Sequence, residues 1–220
     1  MMEAFILWIK NLNWMFIFDL LRTAATIALA IFAWQGLRTW KSKTHTQKQL
    51  QFIDDLTNAV NEYVMAMNAP VQLVHHVEIG INTYSESGNL RSNAGENDGF
   101  VKYIKRDGES TGKMFFEQLE KARPFKSKIQ SLITKGQILG FNSFSRGSQA
   151  CKMLMWSHDL ISGLASLIAN PNWYWENDEV QKNLAAYRNI KSSDIQQNLE
   201  KHSVEVLEFA KDTYQKLLRR

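Results

Sequence analysis

The sequence predicts an all-α protein, with an N-terminal transmembrane helix followed by a helical bundle in the cytoplasm. Three observations carry this. The stretch from Trp14 to Trp34 is apolar and of bilayer length. Most later segments repeat apolar residues at steps of three and four. Strand-like alternation is scarce, and 220 residues hold only three prolines.

Composition narrows the functional classes. Hydrophobic residues make up 45% of the chain, too many for a disordered protein. The mean hydropathy of −0.31 excludes a polytopic transporter, so membrane contact must come from a small part of the chain. The formal net charge of +4 is a mild excess and does not point to nucleic acid. Cys151 is the single cysteine, which rules out an internal disulfide and suits a reducing compartment.

The run WMFIFDLLRTAATIALAIFAW covers residues 14–34. As a helix it is about 30 Å long, the thickness of a bilayer's hydrocarbon core. Trp14 and Trp34 fall at its ends, where indole rings favour the interface. Arg38, Lys41, Lys43 and Lys48 follow, with no acidic residue before Asp54. Only Lys10 precedes the run, with Glu3 nearby. The positive-inside rule therefore places the N-terminus outside and the rest of the chain in the cytoplasm. The same basic residues suit contact with anionic lipid headgroups, although their orienting role alone explains them. A signal peptide is the first alternative, with Ala28-Leu29-Ala30 as a passable cleavage motif, but the charged leader it needs is weak. A buried core helix is the second, because Asp19 and Arg22 interrupt the run. Before the span, Phe5, Trp8, Ile9, Leu12 and Phe16 share one helical face, so residues 1–13 read as an interfacial helix or as an extension of the span.

Asp19 and Arg22 are three apart and share a helix face. Ionisable residues in a span are costly and need a partner. The functional reading is a polar contact between spans of an oligomer, or part of a water-filled path. The plainer reading is that the two pair with each other near the outer headgroups while Arg22 snorkels.

Residues 41–220 read as the helical domain. Leu50, Ile53, Thr57, Val60, Val64, Met67, Val71 and Val74 form a heptad stripe, with Pro70 expected to kink or break the helix. Residues 82–99 read as a long loop, NTYSESGNLRSNAGENDG. A second helix is expected over about 111–134, with Phe115, Leu119, Ala122, Ile129 and Leu132 buried and a kink at Pro124. A third, over about 148–169, buries Cys151, Leu154, His158, Ile161, Ala165 and Ile168 and ends at Asn170-Pro171. Two further pieces follow. The first is marked by Val180, Leu184 and Tyr187. The second has Ile195, Leu199, Val206, Ala210, Tyr214 and Leu217 on its face and Ser193-x-x-Gln196 as a capping box.

No motif carries chemistry. Arg106 to Met114, RDGESTGKM, resembles a phosphate-binding loop, but its glycines are one residue too close and Met114 stands where a hydroxyl is needed. A helix-breaking turn explains it better. His75, His76 and Glu78 supply too few convergent ligands for a metal. Cys151 and His158 are seven residues apart, about 10.5 Å along a helix, too far for a nucleophile–base pair. They read as a small buried hydrophobe and a satisfied core histidine. Trp173, Tyr174 and Trp175 are a candidate partner anchor, or a cap closing one end of the bundle. No catalytic set, cofactor or metal is expected, and no direct nucleic-acid contact.

Residues 19–41, DLLRTAATIALAIFAWQGLRTWK, carry a resemblance. They resemble a loosely defined group of bacterial single-span membrane proteins that combine a D-L-L-R-T span, an A-W-x-G-L-x-T-W-K exit and a helical cytoplasmic tail. The group carries an N-P or A-P step after the exit, matched here by Ala69-Pro70. Some members resemble the membrane effectors that accompany retron reverse transcriptases in anti-phage defence. The resemblance covers roughly residues 19–70, and this chain departs from it in having sparser basic residues after the span. It implies a non-enzymatic bacterial inner-membrane protein acting with a protein partner or as a homo-oligomer. The specific form is a defence effector acting on the membrane; an anchor or adaptor scaffolding a cytoplasmic partner is the alternative. It carries over no catalytic residues.

Overall fold

The computed structural model describes residues 14–86, 98–141 and 144–219. The possible interfacial helix at 1–13 and most of the expected loop, residues 87–97, lie outside them. The described residues are helical, apart from short turns and connections, and none is in a strand. Helices α1 (Trp14–Glu86), α2 (Gly99–Tyr103), α3 (Glu109–Leu139), α4 (Phe144–Ile168), α5 (Asp178–Arg188) and α6 (Ser192–Leu218) follow one another, with a π-helical turn at Ile104–Gly108 between α2 and α3. By internal contacts the chain divides into two units, one ending at Gln49 and one beginning at Leu50.

In the first unit every side chain from Phe18 to Lys41 is exposed. Among the described residues, α1 is the one helix long and apolar enough to cross a membrane, and none of its apolar window is buried.

The second unit is a bundle around α4. This helix buries Phe144, Cys151, Leu154, Ile161, Ala165 and Ile168 and contacts α3, α5 and α6. The α1 side of the core is led by Phe52, Leu56, Ala59, Tyr63 and Met67, all fully buried. The expected stripe is therefore offset. Ile53, Val60, Met67, Val71 and Val74 are buried, but Leu50 and Val64 lie at the edge, and the deepest positions are set by the large rings of Phe52 and Tyr63. Thr57, the one polar residue in that stripe, donates its hydroxyl to the Ile53 carbonyl at 2.8 Å and so needs no partner elsewhere. Phe52, Phe141, Phe144 and Phe209 form an aromatic cluster with centroids 5.0–6.2 Å apart.

Several expectations are corrected. Pro70 does not break α1, which continues to Glu86. A proline removes one hydrogen bond, while Met67, Val71, Val74 and Val77 on either side are buried and hold the helix in place. Helix α3 contains Pro124, as expected, and extends beyond the expected bounds at both ends, to Glu109 and Leu139. The loop expected from residue 82 starts no earlier than residue 87. Ser85 donates to the Ile81 carbonyl at 2.8 Å, and Tyr84 donates to Asp107 Oδ2 at 2.6 Å, which ties this last turn to the π turn. At the other end, Asp98 accepts from the Phe100 amide at 3.1 Å and caps α2, whose Phe100 and Val101 are buried. Arg106 to Met114 is helix rather than a turn, in π and then α form. Gly108 is needed there because a methyl group would overlap the Ile168 carbonyl oxygen. Tyr214 faces solvent, and Phe209 and His202 are buried on α6 in its stead.

The capping box at Ser193 also does not form. Helix α6 begins at Ser192, and its N-cap, Lys191, makes no capping bond. The cap comes from α1: the Ser192 amide donates to Glu78 Oε1, and the Ser192 hydroxyl donates to Glu78 Oε2 at 3.2 Å. The carboxylate supplies both an acceptor for an orphan amide and negative charge at a helix N-terminus. Glu78→Ala should lower the stability of the bundle by about 1 kcal/mol, the usual worth of an N-cap, whereas Ser193→Ala should leave it within about 0.5 kcal/mol of the parent. Denaturant unfolding of the full chain in mild detergent measures both; equal effects would refute the cap from α1.

Candidate functional site

The chemical character of the first unit is concentrated between Asp19 and Lys43. Trp34 and Trp40 are 70% and 66% exposed. Phe18, Leu20, Leu21, Ile27, Leu29, Ile31 and Phe32 are exposed on the same stretch. So much contiguous apolar surface marks a face that meets lipid or another protein. The helical backbone satisfies its own amides and carbonyls, as a hydrocarbon environment requires. Thr23 and Thr26 fold their hydroxyls back onto the Asp19 and Arg22 carbonyls, each at 2.8 Å, so these polar groups are also satisfied within the helix. Asp19 and Arg22 lie on one exposed face. The ion pair expected between them is absent: among the described residues neither side chain makes a hydrogen bond or ion pair. Arg38, Lys41, Lys43 and Lys48 are exposed.

In the second unit the aromatic trio separates. Trp173 is half-buried and donates its Nε1–H to the Leu167 carbonyl at 2.9 Å. Trp175 is half-buried against the core. Tyr174 points outward, 69% exposed, and bonds Glu176 at 3.2 Å. Trp173 and Trp175 therefore close the bundle beyond α4, leaving Tyr174 as the outward member.

His75 and His76 are exposed, and His75 Nδ1 lies 3.4 Å from Glu78, whose carboxylate is committed to α6. No group of three or more His, Cys, Asp or Glu side chains positioned to hold a metal occurs among the described residues. Cys151 is fully buried, and burial pushes its thiol up to about 12. It stays protonated near neutral pH and lacks the thiolate a nucleophile needs.

His158 differs from the satisfied core histidine expected. Neither ring nitrogen has a hydrogen-bond partner among the described residues, and neither does the neighbouring Ser157 hydroxyl. Asp159 Oδ1 is 3.6 Å from His158 Nδ1, too far for a hydrogen bond, and is paired with Lys126 of α3. Opposite, the buried Tyr63 hydroxyl donates to the Leu154 carbonyl at 3.1 Å, and burial raises its pKa. Tyr63, Ser157 and His158 thus form a polar patch inside an apolar bundle, with Lys126 and the exposed Asp159 at its margin, drawn from three helices. Its only trace in the sequence is the polar triplet Ser157-His158-Asp159 on an otherwise apolar helix.

No family model matches this chain, and no curated protein or solved structure does so either.

Desolvation lowers the His158 pKa, and Lys126 adds to the shift while Asp159 opposes it. The folded state therefore holds His158 neutral. Its contribution is present above the ordinary value of 6.5 and is lost as the pH falls through the lowered folded value. Glu205, held below its ordinary 4.5 by the His202 hydrogen bond, titrates in a lower window. Between pH 7.5 and pH 5 the melting temperature of the full chain should fall more steeply than that of His158→Gln. Parallel slopes in thermal scans would show that His158 carries no such linkage.

Proposed function

We propose that this chain is a non-enzymatic protein of the bacterial inner membrane, anchored by residues 14–34 with its helical domain in the cytoplasm, and that it is an effector of anti-phage defence acting on that membrane. The observation that carries the membrane part is the fully exposed apolar stretch of α1. Exposed Arg38, Lys41 and Lys43 after it support the orientation. The defence role is supported by the resemblance of residues 19–41 to single-span membrane proteins of that kind. The absence of reactive character at Cys151, whose thiol is buried and protonated, fits a role without chemistry. A second reading, an anchor that holds a soluble partner, is favoured by one feature of the bundle. Val204, Leu207, Tyr214 and Leu218 are exposed at three-four-type spacing along α6, with Lys211 between them.

Induced expression of the full chain should depolarise bacterial cells, read with a potential-sensitive dye. The double variant Asp19→Leu/Arg22→Leu and a form lacking residues 1–40 should leave the potential intact. A full chain that enters the membrane and leaves potential and growth unchanged would overturn the effector reading and leave the anchor.

A further inference from the structure

We propose that the span docks, in parallel, on a second copy of itself, with Asp19 of each copy paired to Arg22 of the other. The inference rests on the membrane reading above.

The two charges carry the argument. Within the chain they form no ion pair, although three-residue spacing on a helix would permit one. Both side chains are exposed, and both lie within the predicted span. A carboxylate and a guanidinium facing hydrocarbon are costly and are found paired, and a second copy of the span offers each the opposite charge.

Their arrangement makes the span its own complement. Asp19 and Arg22 differ by three residues, about 4.5 Å along the axis. In a parallel pair related by a two-fold axis, each Asp19 meets the other copy's Arg22, forming two reciprocal pairs. The reach of an arginine covers that offset across helices about 8–10 Å apart. An antiparallel pair would put the charges near opposite ends of the span. The basic flank after the span, Arg38 to Lys48, also gives every copy the same orientation.

The rest of that face permits close approach. At about 100° per residue, Asp19, Arg22, Thr23, Thr26, Ala30 and Ala33 fall within an arc of about 100°. Leu20, Ile27, Ile31 and Phe32 lie elsewhere around the helix. The steps from Asp19 through Thr23, Thr26 and Ala30 to Ala33 alternate four and three, the period of left-handed helix pairs. Membrane helices pack through small residues, because lipid offers no hydrophobic gain for joining large ones. Thr23 and Thr26 already bond their own backbone, so they add no unmet polar group to the contact.

The test uses the full chain in bacterial membranes, with single cysteines at Thr26→Cys or Ala30→Cys on the face and Ile27→Cys or Ile31→Cys off it. Native Cys151 is buried and protonated, and serves as the unreactive background. Carbonate extraction is read first; a chain released into the soluble fraction overturns the membrane reading and the dimer with it. For a chain that stays embedded, oxidative cross-linking should favour the face positions. Asp19→Leu or Arg22→Leu should weaken it by about threefold to tenfold, the range of measured polar contacts between spans. Asp19→Arg alone and Arg22→Asp alone should each lose it, and co-expression of the two should restore it. Equal cross-linking at all four positions, cross-links only to a product of different mass, or embedded charge variants without rescue would overturn the dimer. If the charge variants fail to insert, the contrast between face and off-face cysteines decides.

Discussion

Burial of α4 is the constraint on which the rest of the bundle depends. Its apolar residues point in several directions, so one neighbouring helix cannot cover them. Phe144, Ala150, Cys151, Leu154, Leu164 and Leu167 are buried on different sides of α4; α3 and α6 pack against it, and α1 reaches it where Tyr63 bonds the Leu154 carbonyl. The long helices α3 and α6 bury one apolar face each and leave the opposite face to solvent. Each fully buried aliphatic or aromatic side chain contributes about 1.5–3 kcal/mol before the entropic cost of ordering the chain. The exposed ion pairs between helices, Glu62 with Lys128 at 2.9 Å and Arg146 with Glu208 at 2.8 Å, add about 0.2–1 kcal/mol apiece. Packing around α4 sets the arrangement, and surface charge adjusts it.

The same burial explains the unusual groups inside. Tyr63 enters the core because its ring fills space against α4, and its hydroxyl finds the Leu154 carbonyl. Ser157 and His158 enter because they sit on a helix that is surrounded, and no such bond awaits them among the described residues. Lys126 and Asp159 satisfy each other at the margin of this patch. The one cysteine is made inert by the same enclosure. A helix cap supplied from another element, Glu78 to Ser192, follows the same logic: α6 begins where packing puts it, and a neighbour's carboxylate meets its first amide.

The first unit follows a different pattern. Its side chains from Phe18 to Lys41 are exposed, and its backbone is satisfied by helical bonds. In water such a surface would be unfavourable; in lipid it is matched, and Asp19 and Arg22 become the exceptions that need an explanation. The proposed membrane role and the proposed pairing of spans both grow from this inversion, in which apolar residues face outward and the charges look for one another.

The sequence alone determined the all-α class, the apolar helix at its start and most buried faces. These follow from helical periodicity, which is local: Phe115, Leu119, Ala122, Ile129 and Leu132 on α3, and Leu154, Ile161 and Ile168 on α4, are buried as their spacing requires. Tertiary structure decided what local rules could not. Pro70 is carried through because its neighbours are anchored in the core. Residues 82–86 stay helical because Asp107, over twenty residues away, holds Tyr84. The start of α6 is capped by Glu78, 114 residues earlier, rather than by the serine nearby. For Tyr84 and for α6 the deciding group is distant in sequence, and only packing brings it within reach.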